Sequence, residues 1–166
     1  MTAFLFSAPA GVPGFVTRSQ ESNIEPAMLV AASAVFAQAF GIPVKYVTGG
    51  IQQFNGGAEV PADFAGVLIR EVPSIGGSAA QGFNDAIPNS ESVQGFLVRG
   101  YVNVLCARGT PVRGTKVFVQ IVENGGVTVG SFCATDDGGN AIELTDVTWA
   151  SDGKDADNIA EIRVAR

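Results

Sequence analysis

Hydrophobic and polar residues alternate along much of the second half of the chain, and a period of two residues predicts β-strands. The alternation is clearest from Gln94 to Ala107 and from Thr115 to Val122, where every second position between Val117 and Ile121 is aliphatic. A last and less regular segment, Asn158–Arg166, predicts a closing strand. We therefore expect strands to build this half of the molecule.

Turn sequences separate these strands. Asn124–Gly126 predicts a tight turn from Thr115–Val122 into a strand at Val127–Thr135, and Asp136–Asn140 predicts a second turn into a strand at Ala141–Trp149. Strands that follow each other closely usually pair with each other. The spacing thus predicts a meander of three antiparallel strands.

The first half of the chain shows shorter patterns. Strands are predicted at Ile42–Val47 and Gly66–Val72, and residues 73–92 predict a long polar loop. The alanine-rich segment Ala27–Phe40 suits either a helix of a few turns or irregular extended chain, and both remain open. Residues 1–26 contain prolines and show no regular period, which predicts an extended N-terminal arm.

These patterns together predict an all-β fold. Many short strands linked by glycine-rich turns favour a compact antiparallel β-barrel or sandwich, jelly-roll-like, over alternating strands and helices. We expect an extended N-terminal arm at residues 1–26, a single β-rich domain at residues 27–166, and at most one short helix. A chain of 166 residues is an ordinary size for one domain.

Composition narrows the function classes. The chain has no histidine, which removes the Ser-His-Asp and Cys-His catalytic arrangements and histidine-containing zinc sites. Its net charge of −6, with only ten scattered Lys and Arg residues, argues against a nucleic-acid partner. Only 16% of the residues are charged, a composition expected of a surface that is partly covered by a partner or by further copies of the chain.

The remaining candidates for chemistry are weak. The carboxylates of Asp152–Asp157 suit either a calcium loop, whose spacing fails the EF-hand pattern, or a solvated turn, which we favour. Asp136 and Asp137 fall in a predicted turn, where aspartate is common. Cys106 and Cys133 are expected to pack as small hydrophobic side chains, although a disulfide between them stays open. We predict no catalytic residue, no cofactor and no metal site, and hence no enzyme.

Two features bear on location. The segment before Arg18 has no basic residue, so the positive region of a signal peptide is missing. The longest apolar stretch, Ala27–Phe40, is too short to cross a bilayer. We expect a soluble protein that is made in the cytoplasm and has no membrane partner.

A set of segments, in order along the chain, resembles the structural cement (capsid decoration) protein family of tailed phages. Each segment is a strand-like stretch beside a glycine or proline, and the order and spacing of the set are more specific than any member. The segments are Gly14–Arg18, Ile24–Pro26, Phe40–Val44, Gly66–Arg70, Val98–Val104, Arg113–Val119, Gly130–Phe132 and Ala160–Val164.

The resemblance implies a bacteriophage virion protein on the outside of the mature capsid, which binds the major capsid protein and stabilises the head against internal DNA pressure. It also implies a homo-oligomer, for which we favour a homotrimer over a homodimer. We further hypothesise that residues 1 to about 20 dock on the shell, since they are apolar and nearly uncharged. Another virion component, such as a tail, spike or fibre-associated β domain, is the alternative, and a small carboxylate-dependent enzyme is a third hypothesis.

Overall fold

The computed structural model describes residues 11–30, 39–70, 88 and 91–166. These residues form nine β-strands and two 3-10 turns, Ser19–Glu21 and Pro61–Asp63. The strands are β1 (Asn23–Met28), β2 (Pro43–Val47), β3 (Gly50–Gln53), β4 (Phe64–Leu68), β5 (Val93–Arg108), β6 (Lys116–Gln120), β7 (Phe132–Cys133), β8 (Ala141–Trp149) and β9 (Ile159–Ala165).

Five strands close into a barrel. The order β5-β7-β6-β8-β9 is completed by antiparallel pairing of β9 with β5, from Arg99 opposite Ala165 to Leu105 opposite Ile159. Most inward-facing residues of these strands are aliphatic and fully buried, as Val102, Val104 and Ile162 show, and aromatic side chains such as Trp149 and Phe132 pack among them. The period-two pattern of the sequence therefore marks the residues that fill the barrel.

The first half of β5 belongs to a second, smaller group of strands. β1 and β4 both pair antiparallel with it, β2 joins β4, and β3 forms a hairpin with β2. A bridge between Leu29 and Ile51 then brings the chain after β1 back to β3. This group encloses its own cluster of buried side chains: Leu29, Val44, Ile51, Ala65, Leu68 and Phe96.

The described part of the predicted arm lies against the body of the chain. Val16 bridges to Val102, and the backbone of Gly14, Phe15 and Thr17 bonds to β5 at Tyr101 and Asn103. Residues 23–26 belong to β1. Residues 14–17 thus have backbone groups that are already engaged within the chain.

The all-β fold is confirmed, with a barrel as its main body. Strands lie where the patterns at Gln94–Ala107, Ala141–Trp149 and Asn158–Arg166 predicted them. The first pairing of the predicted meander is confirmed, since β6 pairs antiparallel with β7. The second pairing is wrong, because β8 pairs with β6 instead of with the two-residue β7, and β7 pairs parallel with β5. Most of Ala27–Phe40 and nearly all of the loop at residues 73–92 lie outside the described residues.

The second pairing failed because the pairing partner of a short strand is set by distant contacts. Gly125 and Gly126 do make the expected tight turn, with left-handed φ values of 59° and 78°. Beyond this turn the chain returns along β6 as β7, as predicted. β8 pairs with the opposite edge of β6, because β7 lies on the edge of β6 that faces β5. There β7 fills the gap between β5 and β6 and completes the barrel wall.

Candidate functional site

Two aspartates of the predicted turn Asp152–Asp157 cap backbone groups. Asp152 accepts a hydrogen bond from the backbone N–H of Arg113 at 2.9 Å, and Asp155 accepts from the N–H groups of Asp157 and Ile159. Among the residues that the structure describes, no three His, Cys, Asp or Glu side chains are grouped to hold a metal ion. The geometry gives these carboxylates a local structural role.

Asp137 joins two turns to the barrel. Its carboxylate is paired with Arg108 and accepts hydrogen bonds from Gln120 at 2.6 Å and from Asn124 at 3.0 Å. Hydrogen bonds from Arg108, Gln120 and Asn124 hold the pKa of Asp137 far below its usual range. A carboxylate that is so firmly ionised and so fully engaged is a poor general acid or base.

Cys106 and Cys133 are buried free thiols on the neighbouring strands β5 and β7. The prediction that they pack as small hydrophobic side chains is confirmed. Burial raises the pKa of both thiols, that of Cys133 to about 11. Because the thiolate is the reactive form, neither side chain is suited to nucleophilic chemistry.

Glu59 is the one fully described carboxylate with almost no exposure, at 4%. Its Oε1 accepts hydrogen bonds from Nζ of Lys45 at 2.9 Å and from the backbone N–H groups of Asn55 and Gly56. Burial alone would raise the pKa of Glu59, but these hydrogen bonds together outweigh it and leave that pKa below its ordinary value. The pair fastens the loop after β3 to β2.

Exposed apolar side chains gather on one face of β1 and the start of β5. Ile24, Pro26 and Met28 alternate outward along β1, and Met28 lies opposite Val93, which is 64% exposed. Such a row is unusual for a surface strand, whose outward positions are commonly polar. It belongs to the low-charge surface that the composition predicted.

A polar groove lies beside Arg99, where β1 pairs with one edge of β5 and β9 pairs with the other. β9 ends and β1 begins at the same residue of β5, since both Ala165 and Asn23 pair with Arg99. The 3-10 turn Ser19–Glu21 forms one wall, and the groove has a volume of about 470 Å³. We call it the arginine groove; its lining residues are Gln20, Glu21, Ser22, Asn23, Arg99, Gly100, Tyr101, Arg163, Val164 and Ala165.

Three arginines surround one tyrosine at this groove. The guanidinium of Arg18 lies 3.8 Å from the centre of the Tyr101 ring and is held by Glu161 at 3.2 Å. Arg163 is the cross-strand neighbour of Tyr101, and Arg99 precedes it by two residues on the same face of β5. Neither Arg99 nor Arg163 has an ion pair or hydrogen bond with any side chain that the structure describes.

The sequence did not reveal this groove. Its arginines are separated by 81 and 64 positions, at residues 18, 99 and 163, and only the register of β9 on β5 brings them together. The one available signal was a pair of outward positions, Arg99 and Tyr101, on a strand that was already predicted. Such a pair is common on exposed strands and points to no partner by itself.

No helix within the described parts of the chain is long and apolar enough to cross a membrane.

Comparisons with known proteins agree with one another. A family model described as structural cement protein (E217 gp24/Pam3 gp6) matches residues 2–165. A chain from a solved structure titled "The capsid of Myoviridae Phage XM1" is similar in fold, with a TM-score of 0.67 and 18% sequence identity over 98% of this chain and 95% of that chain. No curated protein matches the sequence significantly.

Proposed function

The chain belongs to the structural cement protein family of phages, and we propose that it binds the major capsid protein on the outer surface of the mature head. There it stabilises the shell against the pressure of the packaged DNA. The single observation that carries this function is the family match, which spans residues 2–165 and so includes both groups of strands.

The physical character of the surface supports a role in binding. The net charge of −6 keeps the protein away from DNA, while the weakly charged surface and the apolar row on β1 suit contact with another protein. The polar clusters at Asp137 and Glu59 are used to hold turns in place. We infer that the protein does no chemistry and works by occupying a fixed position.

A cement protein can bind its capsid firmly through many copies of one modest contact. We propose a homotrimer, with a homodimer as the second choice, because one oligomer can bridge several capsid subunits. Once one contact has formed, the next is intramolecular, so many modest contacts give a very slowly dissociating layer. The protein is synthesised in the host cytoplasm and ends as a component of the virion.

Co-sedimentation with empty, expanded capsids tests this function directly. We expect saturable binding with a fixed ratio to the major capsid protein, and a higher melting temperature of the decorated shell. An acidic protein of similar mass, with no relation to phages, serves as the control. Absence of saturable binding would contradict the proposal, and a very small number of copies in purified virions would indicate a tail, spike or fibre component instead.

A further inference from the structure

We propose that the arginine groove binds an acidic segment of the capsid protein, with Arg99 and Arg163 each binding a carboxylate. The inference rests on the proposed function, and it names the contact surface and the chemistry of the partner. The occupant is a stretch of polypeptide that carries aspartate or glutamate side chains.

The position of the groove leaves room for such a segment. β1 and β9 flank β5 on its two edges at Arg99, and the groove lies over this part of the sheet, with Arg99, Tyr101 and Arg163 in its lining. A volume of about 470 Å³ holds a few amino-acid residues. The wall opposite is the 3-10 turn Ser19–Glu21, whose side chains are exposed.

The charges of the groove are unsatisfied within the described chain. Most other described basic side chains are engaged: Lys45, Arg108, Arg113 and Lys116 in ion pairs, and Arg18 with both Glu161 and the Tyr101 ring. Arg99 and Arg163, which have no such partner among the described residues, line the same groove. Guanidinium groups bind carboxylates through two parallel hydrogen bonds, and arginine is enriched at the centres of protein interfaces.

The groove is built on rigid elements. Gly100 has a φ of 130°, and a Cβ atom there would overlap Ser22, so only glycine lets the turn pack onto β5. Ser22 in turn donates a hydrogen bond to the carbonyl of Arg18 at 2.7 Å. Arg18 is fixed over Tyr101 by Glu161, and this stack supports the side of the groove. Rigid walls lower the entropy lost when a partner binds.

The same features disfavour a nucleic acid as the occupant. A phosphate backbone needs a continuous run of cations, but Glu21 lines the groove and the whole chain carries a net charge of −6. A peptide presents its carboxylates at separate points, so it can place one at each arginine and leave Glu21 in solvent.

Neutral variants test the inference. Arg99→Gln and Arg163→Gln should each weaken capsid binding about tenfold or more, and the double variant should weaken it about a hundredfold, because each removes charged hydrogen bonds to a buried carboxylate. Binding is measured by co-sedimentation over a range of protein and salt concentrations. Arg113→Gln is the matched control, since Arg113 loses the same charge from an exposed position outside the groove. The variants must melt at the same temperature as the unaltered protein.

Two results separate this inference from the proposed function. If the unaltered protein does not bind capsids, both fail. If the unaltered protein binds and the double variant binds equally well, the arginine groove is not the contact surface. The same conclusion follows if Arg113→Gln weakens binding as much as the groove variants do. In both cases only this inference is contradicted, and the proposed function stands. Binding of a short DNA duplex, lost in the double variant while capsid binding is kept, would also overturn it.

A crosslinking experiment identifies the partner's chemistry. The double variant R99K/R163K keeps the charge and adds amines, which a carbodiimide joins to carboxylates in direct contact. The chain contains only three other lysines, so background links are few. We expect links from positions 99 and 163 to aspartate or glutamate of the capsid protein, found by mass spectrometry. Efficient links from the native lysines with none from positions 99 and 163 would contradict the inference.

Discussion

Neutralising Glu59 is the sharpest test of how the body of this protein is held together. In Glu59→Gln the side chain keeps its shape but loses the charge that Lys45 and two backbone N–H groups bind. The carboxylate is 1% exposed, whereas the Lys45 side chain is 21% exposed. In the variant, the ammonium group of Lys45 can therefore be solvated by water. The backbone N–H groups of Asn55 and Gly56 are left with the weaker amide oxygen of glutamine as their acceptor.

The magnitude follows from these exposures. Removing one partner of a fully buried ion pair costs about 3–5 kcal/mol. Because Lys45 is partly solvated, and because glutamine retains one weaker acceptor oxygen, we expect the free energy of unfolding to fall by about 2–3 kcal/mol. Glu143→Gln is the matched control: it breaks a Lys–Glu pair of similar length, 2.8 Å against 2.9 Å, whose side chains are 68% and 41% exposed. That change should cost less than about 1 kcal/mol.

Urea unfolding at pH 7, followed by tryptophan fluorescence, measures both variants. The pKa of Glu59 lies below its ordinary value of 4.5, so the pair stabilises the fold fully above that value. Its contribution is lost as the pH falls through the lowered pKa of the folded state. The difference between Glu59→Gln and the unaltered protein should therefore shrink as the pH is lowered below 4.5. Equal losses in the Glu59 and Glu143 variants at pH 7, or a difference that grows in acid, would refute the reasoning.

Three further outcomes are expected. Gly100→Ala should lower the free energy of unfolding by about 1–3 kcal/mol and weaken capsid binding, because the new Cβ displaces Ser22; denaturation and co-sedimentation measure the two effects. Both thiols should be inert to a disulfide reagent at pH 8 and reactive in urea, since Cys106 and Cys133 are buried with raised pKa values; rapid labelling of the folded protein would contradict their packing. Deletion of residues 1–10 should reduce capsid occupancy without changing the melting temperature if the arm docks on the shell, and unchanged occupancy would refute that hypothesis.

The strands that the sequence predicted best are the long ones that bury one face. β5 and β8 alternate over many residues, so their bounds follow from local pattern alone. The partner of β8 was wrongly predicted, because the second edge of the two-residue β7 pairs with β5 when the barrel closes, and no local pattern indicates that long-range pairing. β1 escaped notice because Pro26 interrupts it, which an outer strand tolerates. The family segments, by contrast, were local and could be recognised in order.

Side-chain clusters were less predictable than strands. Lys45 and Glu59 are 14 positions apart, and their pairing depends on the β2–β3 hairpin and the loop that follows it. The pairing of Arg108 with Asp137 joins two turns to β5. Each ion pair forms only when the strands on both sides of it are paired in the correct register, and no local sequence pattern specifies that register. The arginine groove needs three such registers at once, so it emerges only from the folded chain.

The length of β5 has a mechanical consequence. Its 16 residues have a contour length of roughly 50 Å, and the pairing of the strand continues from the small group of strands into the barrel. If contacts at its two ends hold different capsid subunits, a swelling shell pulls along this one backbone. The hydrogen bonds to β1, β4 and β9 are then loaded in shear, so many must fail together before the strand slips. A subunit in which one continuous strand links the two groups of strands resists stretching far better than two units joined by a flexible hinge.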